Sequence, residues 1–274
     1  MTNPPPSKTS SAASPSSSAS TPTARSSSTG TSTPSAPGPS GPARPPSTER
    51  PSLGRPIFLL NLKAYPGHLG NDALRDAKLL EELGREVGVI VAIAPPVPDL
   101  ARVASSVSIA VLAQHADPGA AGARTGFSPV EAIAAAGARG SLVNHSEHPI
   151  SDADVVATVT GLAAHGLAAV VCAADVAAAQ RLAASRPPYL AVEPPELIGG
   201  DRAVSTARPE VVSGTVDAVR AVSPQTLVLC GAGVHDRRDV ARALELGAEG
   251  VLVASAVTRA PDTARAIREL LAGF

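Results

Sequence analysis

The chain has 274 residues, 44% of them hydrophobic but only 2% aromatic, and a formal net charge of −1. A balance so near neutral, with no basic run, offers no footprint for nucleic acid, and no stretch approaches the roughly 20 apolar residues of a membrane span. Two cysteines, Cys172 and Cys230, build neither a zinc pattern nor a disulfide framework and read as reduced core residues.

Residues 1–50 hold fifteen Ser, eleven Pro and eight Thr, and no Val, Ile, Leu, Phe, Tyr or Trp. Such a segment buries too little apolar surface to offset its chain entropy, so residues 1–54 are expected to form a disordered extension. Its Ser and Arg content and scarcity of acids make an organelle-targeting role the alternative to a cytoplasmic location. High proline content and the lack of an amphipathic face favour a plain extension. Beyond residue 50 stand 19 basic and 23 acidic residues, a mildly acidic domain over 55–274.

That domain alternates. Apolar runs begin at Ile57 (IFLLNLK), Val89 (VIVAIA), Ile109 (IAVLAQ) and Gly140 (GSLVNH), then at Leu167 (LAAVVCAA), Tyr189 (YLAVE), Thr226 (TLVLCG) and Gly250 (GVLVA). Between them lie Ala-, Leu- and charge-rich segments of helical spacing, several closing on glycine (Gly166, Gly247) as helix ends do. Nearly every run is apolar throughout, the mark of a parallel sheet covered on both faces. Eight such units in about 220 residues predict an α/β protein with a closed (β/α)8 TIM barrel. An open doubly wound sheet is the alternative, but strand one ends Asn61-Leu62-Lys63 and not in a glycine-rich turn.

In such a barrel the reactive groups belong at the carboxyl ends of the strands. Those positions hold Asn61 and Lys63, Gln114 and His115, Asn144, His145 and Glu147, and Glu193, with small residues at 231–233 and 254–256. The chain has three lysines against twenty arginines, so a lysine at a strand's mouth suggests that a compact point charge is needed. Glu193 ends a buried strand, where an idle carboxylate is costly. A structural ion-pair partner is the plainer role for it. His145 and His148, three apart with Glu147 between, suit a metal on a helical turn, but no further ligand completes a set. The small residues after strands seven and eight stand where barrels cradle phosphate on backbone N–H groups.

Taken jointly, NLK at 61–63, AQHADP at 113–118, TG at 125–126, NHSEH at 144–148, AVEPPELIG at 191–199, CGAGV at 230–234 and GVLVAS at 250–255 resemble the triosephosphate isomerase family, in its compact archaeal-type branch. The likeness spans residues 56–272. It implies interconversion of dihydroxyacetone phosphate and glyceraldehyde 3-phosphate in glycolysis and gluconeogenesis, without metal or cofactor. By the same resemblance Glu193 is the base and His145 the neutral electrophile, an imidazole seated on a helix start beside Ser146 and Glu147. Lys63 supplies positive charge, Asn61 positions substrate, and Glu147 is a buried polar partner. Backbone N–H groups of Gly199, Gly233, Ala254 and Ser255 hold phosphate, Pro194 to Gly200 forms a lid, and Thr125 reaches into a neighbouring subunit of a homodimer or homotetramer.

Three features depart from the family's pattern: Pro149 directly after the strand-four motif, Gly199-Gly200-Asp201 at the lid's end, and Ala256 where relatives have glycine. Were positive φ required at 256, alanine would cost about 1 kcal/mol. An isomerase of a larger, four-carbon sugar phosphate, a non-catalytic phosphate-binding barrel and a Lys63 Schiff-base aldolase are the other functions the sequence permits.

Overall fold

Strands with apolar residues on both faces need cover on both sides, and the chain meets that need by rolling the sheet into a tube. The computed structural model describes residues 51–199 and 203–274. The extension expected over 1–54 lies mostly outside them, as do Gly200 and Asp201 of the expected lid. Eight strands, β1 (Ile57–Asn61), β2 (Ile90–Ala94), β3 (Ala110–Ala113), β4 (Gly140–Val143), β5 (Ala168–Ala173), β6 (Tyr189–Val192), β7 (Leu227–Cys230) and β8 (Gly250–Val253), form a closed parallel barrel in sequence order. Closure runs from Ile57 opposite Gly250 to Leu60 opposite Val253.

The helices are α1 (Asn71–Val87), α2 (Leu100–Ala104), α3 (Val130–Ala135), α4 (Asp152–Ala164), α5 (Val176–Ala183), α6 (Val204–Ala207), α7 (Pro209–Val222) and α8 (Arg237–Glu245) between strands, and α9 (Ser255–Thr258) and α10 (Thr263–Leu271) after β8. Four of their starts carry a side-chain cap. Ser151, Asp175, Asp236 and Asp262 each accept a backbone N–H from the first turn of α4, α5, α8 and α10. Gly166 and Gly247 follow helix ends with φ of 70° and 91°. Ala256 lies inside α9 and is not among the positive-φ residues, so the cost considered for it does not arise. Among the described residues no helix is long and apolar enough to cross a membrane.

Two apolar shells result. Alternate strand residues (Leu59, Leu112, Leu142, Val170, Ala191, Leu229, Leu252) fill the tube, while the others pack outward against the helices. Interdigitated layers of this kind make the barrel a solid core and not a pore. At its floor, opposite the mouth, fully buried Tyr189 turns its hydroxyl toward the chain that precedes β1. That hydroxyl accepts the Leu53 N–H at 2.8 Å and donates to the Gly54 carbonyl at 2.9 Å. The folded domain therefore takes in Leu53 and Gly54, which composition groups with the extension.

Tyr189→Phe removes both bonds while keeping the ring. It should cost about 1–3 kcal/mol, read as a lower urea midpoint; an unchanged midpoint would show that Leu53 and Gly54 do not brace the floor.

Candidate active site

Four elements bring the polar groups together at the carboxyl ends of the strands. Asn61 closes β1 and is buried. Its Oδ1 accepts the Lys63 N–H at 3.0 Å and one N–H of Gln114 at 3.1 Å. Gln114, just past β3, also donates to the carbonyls of Lys63 and Ala94, both at 3.0 Å. These bonds hold Lys63 at φ 50°, a left-handed conformation that lysine rarely adopts. So fixed, its ammonium reaches across the mouth to Glu147 Oε1, 2.5 Å away.

Beyond β4, Asn144 is left-handed too, at φ 61°. Its amide donates to the Cys172 carbonyl and its oxygen accepts the Ile150 N–H, each at 3.0 Å, which shapes the loop that presents His145. His145 is buried, and its Nδ1 accepts the Glu147 N–H at 3.1 Å. A ring nitrogen that accepts carries no proton, so the neutral ring's hydrogen sits on Nε2. Nε2 stands 3.7 Å from Glu193 Oε1.

Two expectations about this loop are corrected. The chain after His145 makes a single turn, closed by the His148 N–H on the His145 carbonyl, and α4 begins only at Asp152. Pro149 accounts for this: the residue before a proline is biased out of the helical region, which disfavours a helix running from 146 through 149. Glu147 is not buried either. Its side chain is 58% exposed, on the rim where it pairs with Lys63, and Ser146 beside it is exposed as well. His148 stacks on His115 with ring centres 3.9 Å apart. Among the described residues no group of three potential metal ligands occurs.

Glu193 follows β6, 4% exposed. One oxygen faces His145, the other has no hydrogen-bond partner, and the Cys172 thiol contributes a hydrogen bond. Burial holds the Glu193 carboxyl above the ordinary glutamate range, against the opposing pull of His145, Cys172 and Lys63. Burial, reinforced by the facing carboxylate, pushes the Cys172 thiol well up, so it stays protonated and donates. Gly231, after β7, leaves room for this carboxylate: a Cβ there would lie 2.5 Å from Glu193 Cγ.

Asn61, Lys63, His145 and Glu193 share one small chamber with Gly199, Gly233, Ala254 and Ser255. Its free volume is about 30 Å³, roughly one water. Every residue singled out for catalysis or phosphate contact is thus at this mouth. A wider cleft of about 480 Å³ shares Asn61, Lys63 and His145 and runs out to the loop of Thr125 and Phe127. Gln114 and Asn144 were visible in the sequence only as polar strand ends, Gly231 only as one of the small residues after strand seven, and Cys172 only as a core thiol.

Fold and site define the class, a TIM-barrel enzyme with its polar groups gathered at the carboxyl-terminal mouth. Within that class the chain belongs to the triosephosphate isomerase family, whose model matches residues 56–270. The triosephosphate isomerase of Methanothermus fervidus is 46% identical over 219 residues, covering 80% of this chain and 99% of that protein. That of Caldivirga maquilingensis is 45% identical over 215 residues, covering 78% and 96%. These relatives agree with the archaeal-type branch. The crystal structure of triosephosphate isomerase from Bartonella henselae shares the fold, with a TM-score of 0.64 at 20% identity over 78% of this chain and 97% of that one.

Gly231→Ala should push the Glu193 carboxylate aside and lower isomerase turnover about 10²-fold, with the unfolding midpoint nearly kept; full turnover would mean that the carboxylate has slack. Because burial raises the Glu193 pKa, the group binds its proton more tightly folded than unfolded. Glu193→Gln should therefore stabilise the fold near neutral pH, and the gain should vanish as pH falls through the raised pKa toward 4.5. Denaturation curves across that range test this, and a gain independent of pH would contradict it.

Proposed function

We propose that the enzyme interconverts dihydroxyacetone phosphate and D-glyceraldehyde 3-phosphate through an enediolate, using its own side chains. The observation that carries this reading is Glu193: a carboxylate withdrawn from water, with one oxygen unpartnered and the other 3.7 Å from His145 Nε2. Glu193 takes a proton from one reacting carbon and returns it to the neighbouring carbon, so no net proton is consumed. Desolvation raises its basicity toward the working pH, where a general base is most effective. His145 donates through Nε2–H to the carbonyl oxygen where negative charge gathers, and the Glu147 N–H on Nδ1 keeps that tautomer. Lys63 offsets the charge of enediolate and phosphate, and Asn61 holds the Lys63 backbone in place while facing substrate.

Gly199, Gly233, Ala254 and Ser255 line the same chamber, and in this reading their backbone N–H groups receive the phosphate. The chamber holds about one water, so substrate enters as the lid segment around Ile198 and Gly199 moves out, and closure dries the site. We also assign the 480 Å³ cleft to a second subunit. Phe127 and Val97 on its walls are 53% and 44% exposed, and a neighbour's Thr125 loop would cover them in a homodimer or homotetramer.

A coupled assay on the purified chain tests the reaction. Triose phosphate should be preferred over a four-carbon ketose phosphate by about 10–200-fold in kcat/KM, and preference for the larger sugar would replace the substrate named here. Glu193→Gln should lose about 10²–10⁴-fold in turnover yet still bind 2-phosphoglycolate; wild-type turnover would refute Glu193 as base. Phe127→Asp should sediment as a smaller species than the parent if the cleft is an interface.

A further inference from the structure

We propose that His68, outside the chamber, is a positioning residue for its phosphate side. His68 lies five residues beyond Lys63, in the loop that joins β1 to α1, and it is buried. Its Nε2 faces the Thr258 carbonyl at 3.0 Å. A carbonyl only accepts, so Nε2 carries a proton and donates. Its Nδ1 is hydrogen-bonded to Asp76 Oδ2, on α1, and because Nε2 already holds one proton this bond needs a second, shared between ring and carboxyl; the Asp76 side chain is 0% exposed. Arg75 reaches the other Asp76 oxygen at 3.3 Å.

Thr258 is the last residue of α9, and α9 begins at Ser255 on the chamber wall. Its two ends are locked together: the Thr258 N–H and hydroxyl both donate to the Ala254 carbonyl, at 2.9 and 3.1 Å. A helix of four residues has almost no stability of its own, so its direction must come from contacts with the rest of the fold. Among the described residues, His68 is the one side chain from another element that hydrogen-bonds to the backbone of α9. The same ring fixes the far end of the loop that carries Lys63. One buried imidazole thus ties the wall bearing the ammonium to the wall bearing the Ala254 and Ser255 N–H groups, and Asp76 holds the ring in place. A buried imidazole–carboxylate pair is a poor way to gain stability compared with apolar packing. Here it supplies a fixed direction to a turn too short to hold one.

The inference rests on the assignment of phosphate to Ala254 and Ser255, and the experiment separates the two. In the wild-type chain, 2-phosphoglycolate should shift the amide resonances of Gly233, Ala254 and Ser255. If it does not, the phosphate assignment fails, and the role of His68 fails with it. Kinetics of His68→Leu, His68→Gln and the nearly isosteric Asp76→Asn then address His68 itself. His68→Leu should raise both KM for triose phosphate and Kd for 2-phosphoglycolate about tenfold, the loss expected for one well-placed hydrogen bond. Slow isomerisation of phosphate-free glyceraldehyde should stay within about twofold, because Glu193 and His145 are untouched. His68→Gln, which keeps one N–H for Thr258, should recover part of the loss, and Asp76→Asn should fall between. Parallel losses on both substrates, or unchanged KM and Kd in a variant of lowered melting temperature, would reduce His68 to a core residue and overturn the proposal. If His68→Leu does not fold, Asp76→Asn decides by the same measurements.

Discussion

Keeping a carboxylate nearly dry is the constraint around which the barrel's mouth is arranged. Ionised Glu193 is favoured there by a donor or a positive charge on several sides: the imidazole, the thiol hydrogen of Cys172 and the ammonium of Lys63. None touches it as a full ion-pair partner, which would hold the carboxylate in place and weaken it as a base. The result is a group that is exposed electrostatically but not to water. Gly231 belongs to the same arrangement, since its missing side chain is the space that the Glu193 stem fills. A stronger ion pair would stabilise the fold and blunt the chemistry.

The backbone around the site carries a related cost. Lys63 and Asn144 are two of three non-glycine residues with positive φ among the described residues, and both stand at strand ends beside the chamber. Each is held by side-chain amides: Asn61 and Gln114 around Lys63, and the Asn144 amide itself across to β5 and Ile150. Strain of roughly 1–3 kcal/mol per residue persists only where neighbours over-determine the conformation. Amide side chains suit the task, since each offers both a donor and an acceptor without adding a charge to compete with Glu193.

Most of the architecture was legible because eight apolar runs at regular spacing permit few folds, and the chain motifs place Lys63, His145 and Glu193 at strand ends. Sequence alone did not show which alternate residues face inward, because both faces of each strand are apolar. Once the inward set is known, the mouth follows by counting. Asn61, Gln114, Asn144, Glu193, Gly231 and Ala254 each stand two residues after an interior residue: Leu59, Leu112, Leu142, Ala191, Leu229 and Leu252. Without that parity Gln114 and Gly231 stood out only as a polar and a small strand end, with nothing to say what they touch. Cys172 was hidden more deeply, for nothing within AAVVCA sets its thiol apart from the packing around it. The helix start expected after His145 came with the family resemblance, and Pro149, which stood only as a departure from the family's pattern, acts on the backbone of the residue before it.

The Tyr189 hydroxyl, bound to Leu53 and Gly54 at the floor, fixes the direction from which the chain enters the domain. Entry is on the face opposite the mouth, with the whole length of the tube between. A group joined directly at residue 51 would therefore meet the domain at the back of the catalyst. The chamber and the cleft beside Thr125 are on the other face, so a surface holding the domain at residue 51 would present its active sites to the solution.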